Sequence, residues 1–326
     1  MVLRPPTHKH HDPRWPGWYH HIRYRADMTH DPSPLVTFVI PCFNQGSFLA
    51  ECVDSLLGQA EPRWEAIIVN DASTDLGVTA EACEAQVVRD PRLRVIHLAE
   101  NAGRCGARNA GIALARGVGL VPLDADDALC PTFLSATIPH LLARPELGIV
   151  YTHYQRFGGR TDILRAEPWD ERRLYFQRYI WACSLFRTAS VQALGCYQEA
   201  YRDGNEDFDL ILRLVESGLA AHFIATPLVL YRSHPQSWTS SGVGGLDRVT
   251  RTRNLLLSDH RAAFERHGAV AAFVSDTLRR EADALLATGQ TGAALSRALV
   301  AVYHYPLNRN ALGVVWAAVL RMLMGR

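Results

Sequence analysis

Lysine is nearly missing from this chain. Lys9 is the only one, and arginine supplies the rest of the 34 basic residues, a bias that reads as lineage rather than mechanism. Those 34 stand against 33 acidic residues, so the formal net charge is +1. No bulk field of one sign is present to draw in nucleic acid. Paired cysteine motifs are absent too. The seven cysteines (42, 52, 83, 105, 130, 183 and 196) are odd in number, widely spaced and without a C-x-x-C, which argues against a disulfide framework or a zinc site and fits a reducing compartment. No apolar run reaches a membrane span. The nearest, ALGVVWAAVLRMLM from Ala311, is short and carries Arg321. The first residues, MVLRPPTHKHHDPRWPGWYHH, contain no apolar leader segment. The expectation is a cytoplasmic protein, with peripheral contact to the inner face of a membrane left open.

What is present is an ordinary globular composition, 48% hydrophobic and 21% charged, able to fill a sizeable core. Residues 1–33 are polar and rich in His, Pro and Trp. His8, His10, His11, His20, His21 and His30 read either as a metal-binding tract or as incidental histidines of an extension. From Leu35 the pattern becomes regular: VTFVI, WEAIIVN, LRVIHL and GVGLVPL read as strands, with helices over FLAECVDSLLGQ, about 76–88, and GRCGARNAGIALARG. This β-α-β-α-β-α-β order predicts an α/β fold with an open, mostly parallel sheet flanked by helices. Ligands of such sheets bind beyond the carboxyl ends of the strands, so the loops PCFN, DASTD and DADD should converge on one site. LGIVYTHYQRF and AHFIATPLVLYRSH add strands, and EDFDLILRLVESG is an amphipathic helix with Phe208, Ile211, Leu212 and Val215 on one face. From about Leu246 everything reads helical, a C-terminal appendage. The expected division is 1–33, 34–240 (34–127 binding nucleotide, 128–240 the acceptor) and 241–326.

Three acidic groups carry chemical potential. Asp71 ends a strand and can accept from a ligand N–H or hydroxyl, while Asp75 suits a helix cap. Asp124, Asp126 and Asp127 crowd like charges that raise each other's pKa. Water, a helix N-terminus or a cation would relieve them. Carboxylates one residue apart can grip a hard cation through oxygen, and Asp127 suits the start of the helix after it. Glu206 and Asp207 open the amphipathic helix, where a carboxylate remains ionised and available as a base. His234, in YRSH, is a lone loop histidine, either surface or a ligand for manganese.

Taken in order, VTFVIPCFNQGSFLAECVDSLLGQ, WEAIIVNDASTD, NAGRCGARNAGIALARGVGLVPLDADD, GNEDFDLILRL and YRSH closely resemble the family 2 glycosyltransferases, inverting enzymes of the GT-A fold that use nucleotide-sugar donors. The resemblance covers about Leu35 to Ser240. It implies that Pro41 and Phe43 pack around the nucleotide base, that Asp71 pairs with the base N–H, and that Arg104 reaches the base or diphosphate. Asn70 departs from the family's acidic residue at that position. It further implies Asp124 near the ribose, Asp126 and His234 as ligands of a divalent cation (Mn2+ or Mg2+), Asp207 as catalytic base and Glu206 in acceptor binding. The donor would be a nucleotide-diphosphate sugar, UDP-linked, and the acceptor a glycan, lipid-linked or protein hydroxyl in polysaccharide, glycolipid or glycoconjugate synthesis. The C-terminal helices would serve a homo-oligomer or a membrane face.

Two other readings compete. A nucleotidyltransferase on a similar sheet would need a Gly-rich basic loop after the first strand, and PCFNQGS has one Gly and no Lys or Arg. A non-catalytic scaffold would have no use for Asp124, Asp126, Asp207 and His234 together.

Overall fold

The computed structural model describes residues 33–234 and 245–324. The histidine tract and the stretch from Pro235 to Ser240 after His234 lie outside the described residues, as does the expected boundary at 240. The first half alternates strictly: β1 (Val36–Cys42), α1 (Gly46–Leu57), β2 (Trp64–Asn70), α2 (Val78–Val87), β3 (Leu93–His97), α3 (Gly103–Ile112) and β4 (Gly119–Pro122). Then follow β5 (Ala128–Leu129), α4 (Phe133–Ala143), β6 (Leu147–Gly158), β7 (Ile163–Leu164), α5 (Glu171–Phe176), β8 (Leu185–Arg187), α6 (Thr188–Ala193), α7 (Glu206–Glu216) and β9 (Ala220–Ser233). Five helices complete the described chain: α8 (Gly245–Asp259), α9 (Arg261–Arg266), α10 (Val270–Ala287), α11 (Thr291–His304) and α12 (Arg309–Leu323).

The strands form one sheet in the order β3-β2-β1-β4-β8-β6-β9-β5, with β7 beside β6. Pairing among β3, β2, β1 and β4 is parallel throughout. The second half is mixed, because β8 runs antiparallel to both β4 and β6 while β6 and β9 are parallel. Every residue of β1 and β2 is buried. Alternate residues serve opposite faces: Val39, Ile67 and Val69 pack with α3 and α7, whereas Phe38, Ile40 and Ile68 pack with α1 and α4. A strand covered on both faces reads as an unbroken apolar run, which is why these segments stand out in the sequence.

One expected boundary moves. The helix over GRCGARNAG ends at Ile112, not at Gly117. Gly117 instead lets the chain pass against β1, where a Cβ would come within 2.5 Å of the Thr37 amide nitrogen. Within α3, a Cβ on Gly111 would lie 2.4 Å from Val39, so glycine allows the helix to sit directly on β1. The amphipathic reading of α7 is also incomplete. The acidic residues of its first turns, Glu206, Asp207 and Asp209, are buried as well, and His260 before α9 bonds Asp209 and Glu216. The C-terminal helices therefore cover the helix that begins with Glu206 and Asp207.

Candidate active site

The loops after β1 and β2 meet. Asn44, in the left-handed region at φ 54°, accepts the Thr74 amide at 2.8 Å and receives the Ser73 hydroxyl as acceptor for its own amide at 3.0 Å. Ala72 is also left-handed, at φ 50°. For alanine this conformation costs roughly 1–2 kcal/mol, so the surrounding bonds must hold it. Asp71 donates its amide to the Cys42 carbonyl at 2.9 Å, which ties β2's end to β1's. Its buried carboxylate accepts the Ala102 amide at 2.6 Å, at the entry to α3. Burial pushes its pKa up to about 6, against the pull of the Ala102 and Gly103 amides. Asp75 caps as expected, taking the Thr79 hydroxyl at 2.6 Å. Pro41 is buried within β1, and Phe43 just beyond is 42% exposed, an aromatic face at the loop's edge. Asn70 donates to His97 Nδ1 at 3.0 Å and accepts the Ser73 amide at 3.2 Å, so an amide rather than an acid joins β2, β3 and the turn.

The decisive residue is one that the sequence reading passed over. Arg108, four residues after Arg104 on α3, is buried, and its guanidinium donates to Asp124 Oδ1 at 2.7 Å and to Glu206 Oε1 at 2.9 Å. It lies over the Tyr197 ring at 5.3 Å. One cation thus ties the loop after β4 to the start of α7, across 16 and 98 residues of chain. Arg104 approaches Glu206 at 3.5 Å from a partly exposed position. Glu206, expected beside the acceptor, is buried with its charge engaged by this arginine pair. The available signal was a charged residue among the small residues of GRCGARNAG. Such a helix face enters a core only with its charge paired.

The three aspartates after β4 have separate surroundings. Asp124 is the most exposed, at 38% of its side chain. Asp126 is mostly buried and lies 2.9 Å from His234 Nε2, while the Phe48 ring lies against the imidazole, tilted by 42° with ring centres 5.0 Å apart. Burial first, and then Asp124, raise the Asp126 pKa. Asp127 does not start the next helix: β5 intervenes, and α4 follows Thr132. Its buried carboxylate accepts the Arg232 amide at 2.9 Å and so pins β9 to this loop, carrying His234 toward Asp126. Asp207 begins α7, accepts the Phe208 amide at 2.8 Å and is ion-paired with Arg178, a second residue not singled out from the sequence.

Among the described residues no three histidines, cysteines or carboxylates form a metal cluster. Asp126 and His234 supply two donors, one oxygen and one nitrogen, sharing a proton where a cation would fit. A divalent cation there would keep positions open for ligand oxygens and offset the charge of Asp126, whose pKa is raised by burial first and by Asp124 second. One carboxylate and one imidazole make a donor set compatible with a divalent cation.

Residues 37–202 match the Glycosyl transferase family 2. The chain belongs to this family. It is 31% identical over 236 residues to the O-antigen biosynthesis protein RfbC of Myxococcus xanthus, which covers 70% of this chain and 18% of that one. It is 28% identical over 190 residues to the putative colanic acid biosynthesis glycosyl transferase WcaA of Escherichia coli, covering 56% and 67%. An uncharacterized protein of Sinorhizobium fredii, y4gI, is 31% identical over 214 residues, 64% of this chain and 23% of that one. The chain thus spans about a fifth of the length of the Sinorhizobium and Myxococcus relatives. Among solved structures, the mannosyltransferase PcManGT of Pyrobaculum calidifontis with GDP-Man and Mn2+ superposes at a TM-score of 0.61, 19% identity, covering 90% and 88%. TarS of S. aureus with UDP-GlcNAc gives 0.57 at 15% identity, covering 89% and 92%. The mixed sheet flanked by helices is the GT-A fold.

Proposed function

We propose that this family 2 member moves a glycosyl unit from a UDP-linked sugar to an acceptor hydroxyl, with inversion, at the cytoplasmic side of cell-envelope polysaccharide or glycoconjugate synthesis. The observation that carries this reading is Arg108. By holding Asp124 and Glu206 at once, it joins the loop that carries Asp126 to the helix that carries Asp207, while Asp126 pairs separately with His234. An inverting displacement needs its base and its leaving-group site on opposite faces of the sugar, the roles this reading gives to Asp207 and to the Asp126–His234 pair.

In this account Pro41 and Phe43 bracket the base, Asp71 accepts its N–H, and Arg104 steadies the diphosphate from the first turn of α3. Asp124 faces the ribose. Asp126 and His234 would hold a divalent cation, Mn2+ or Mg2+, which supplies charge neutralisation for the departing diphosphate. Asp207 takes the proton of the acceptor hydroxyl as that oxygen attacks the anomeric carbon. Arg178 orients the Asp207 carboxylate. Glu206 serves the acceptor side through Arg108, not by touching the acceptor. The named relatives in O-antigen and colanic acid biosynthesis and the neighbours with UDP-GlcNAc and GDP-Man support a nucleotide-sugar donor.

The test is a screen of UDP- and GDP-sugars for donor hydrolysis and thermal stabilisation, with and without Mn2+. A metal-dependent response to one UDP-sugar is expected. Indifference to every nucleotide sugar in both conditions would contradict the reading.

A further inference from the structure

The helix α12 has two apolar faces. Ala311, Val314 and Ala318 are buried against α10 and α11. On the opposite side Leu312, Trp316, Leu320 and Leu323 recur at helical spacing and are exposed, Trp316 by 67% and Leu323 by 78%. Tyr303 at the end of α11 and Leu307 in the turn extend the patch, at 84% and 76%. A surface helix normally sets polar residues opposite its buried stripe. Here RNALGVVWAAVLRML has charge only at Arg309 and Arg321. An apolar surface this continuous marks a site of interaction.

Charge selects the occupant. After Asp283 the last 43 residues contain no Asp or Glu and four arginines: Arg297, Arg309, Arg321 and Arg326. The near-neutral total of +1 therefore hides a segregation, with 30 basic against 33 acidic residues in the first 283. Arg297 is ion-paired with Glu281 of α10 at 3.3 Å, but α12 itself brings Arg309 and Arg321 and no carboxylate, so a two-fold dimer through this face would set arginines against arginines. An anionic lipid surface would instead complement them, and Trp and Tyr suit the headgroup level. Among the described residues no helix is long and apolar enough to cross a membrane. The 15 residues of α12 reach about 22 Å at 1.5 Å per residue, short of the roughly 30 Å hydrocarbon core. Such a helix lies in the interface plane.

We propose that α12, with the preceding turn and the end of α11, is a docking surface for an anionic lipid bilayer. Leu312, Trp316, Leu320 and Leu323 enter the headgroup boundary, and Arg309, exposed at the helix start, meets lipid phosphate. The inference does not depend on the transfer reaction. It is tested by floating the full chain with vesicles of phosphatidylcholine alone or mixed with phosphatidylglycerol. The protein should rise with the mixed vesicles, rise less in high salt and remain behind with phosphatidylcholine alone. Trp316→Ser with Leu320→Ser, both exposed, should keep the thermal midpoint and lose at least about tenfold in vesicle binding. Brominated lipid should quench the wild-type emission more than that of Trp316→Phe, a readout independent of the double variant's folding. Equal flotation of variant and wild type, equal binding to neutral vesicles, or unchanged quenching would overturn the proposal. So would a dimer that the double variant dissociates while vesicles bind neither protein, which would make a second copy the occupant.

Discussion

Replacing Arg108 with methionine removes the one cation that, among the described residues, pairs with both Asp124 and Glu206. The substitution keeps much of the side-chain volume, so packing over Tyr197 is largely retained, and the effect is electrostatic. Glu206 is 4% exposed and would be left with only the longer approach of Arg104 at 3.5 Å. Asp124 is 38% exposed and can turn to water. Most of the penalty therefore falls on Glu206. Breaking a buried ion pair by removing one partner costs about 3–5 kcal/mol. The lower end is expected here, since Arg104 compensates in part and the Arg108 Nε has no partner to lose. For a chain of this size about 3 kcal/mol corresponds to a fall of roughly 4–5 °C in the thermal midpoint. Scanning calorimetry or a dye-based melt reads this directly. Adding Glu206→Gln to the methionine variant removes the stranded charge, and more than half the loss should return. A midpoint within about 2 °C of wild type for the single variant, or no recovery in the double, would refute the bridging role.

Three further outcomes follow from the same geometry. For His260, burial alone lowers the pKa, but its bonds to Asp209 and Glu216 outweigh this and hold it up to about 9. A folded value above the unfolded one means the stabilisation is full below about pH 6.5 and is lost as pH rises through 9; denaturant melts should lose up to about 3 kcal/mol over that window, and His260→Gln should flatten the profile. Asp71 is the opposite case for ligand: with its pKa raised to about 6, acidification from pH 7.5 to 5.5 protonates it, relieves its burial penalty and removes its acceptor role. UDP affinity measured by calorimetry should fall over that range, and Asp71→Asn should bind weakly with less pH dependence; parallel profiles for the two proteins would count against a base contact. Finally, His234→Ala and Asp126→Ala should each erase the difference in UDP affinity between Mn2+ and chelator, whereas identical affinities in wild type would remove the reason to assign either as a ligand.

The sheet and the meeting of its loops were legible because β1 and β2 are buried on both faces, which leaves continuous apolar runs ending in polar loops. The juxtaposition of Asp126 with His234 was reachable only through the family resemblance, since 108 residues separate them. Arg178 escaped because nothing local distinguishes a pairing arginine from a surface one in a chain with 34 basic residues, nearly all Arg, and the one local signal for Arg108, a charge among the small residues of α3, does not name its distant partners. Asp127 was misassigned for a related reason. An aspartate shortly before a helix looks like a cap, but its partner is the Arg232 amide on β9. The three residues of β8 gave no periodic signal, yet they join the parallel half of the sheet to the mixed half. Short-range pattern reports elements, whereas the site depends on contacts that only the assembled sheet creates.

The central claim is that Asp207 is the base of an inverting transfer. The direct measurement compares Asp207→Asn with wild type in two assays on the same preparation: Mn2+-dependent binding of the UDP-sugar and turnover with the acceptor. The account predicts donor affinity within a few-fold of wild type and transfer lowered by about 100-fold or more. Near wild-type transfer by a folded, donor-binding Asp207→Asn protein would contradict it.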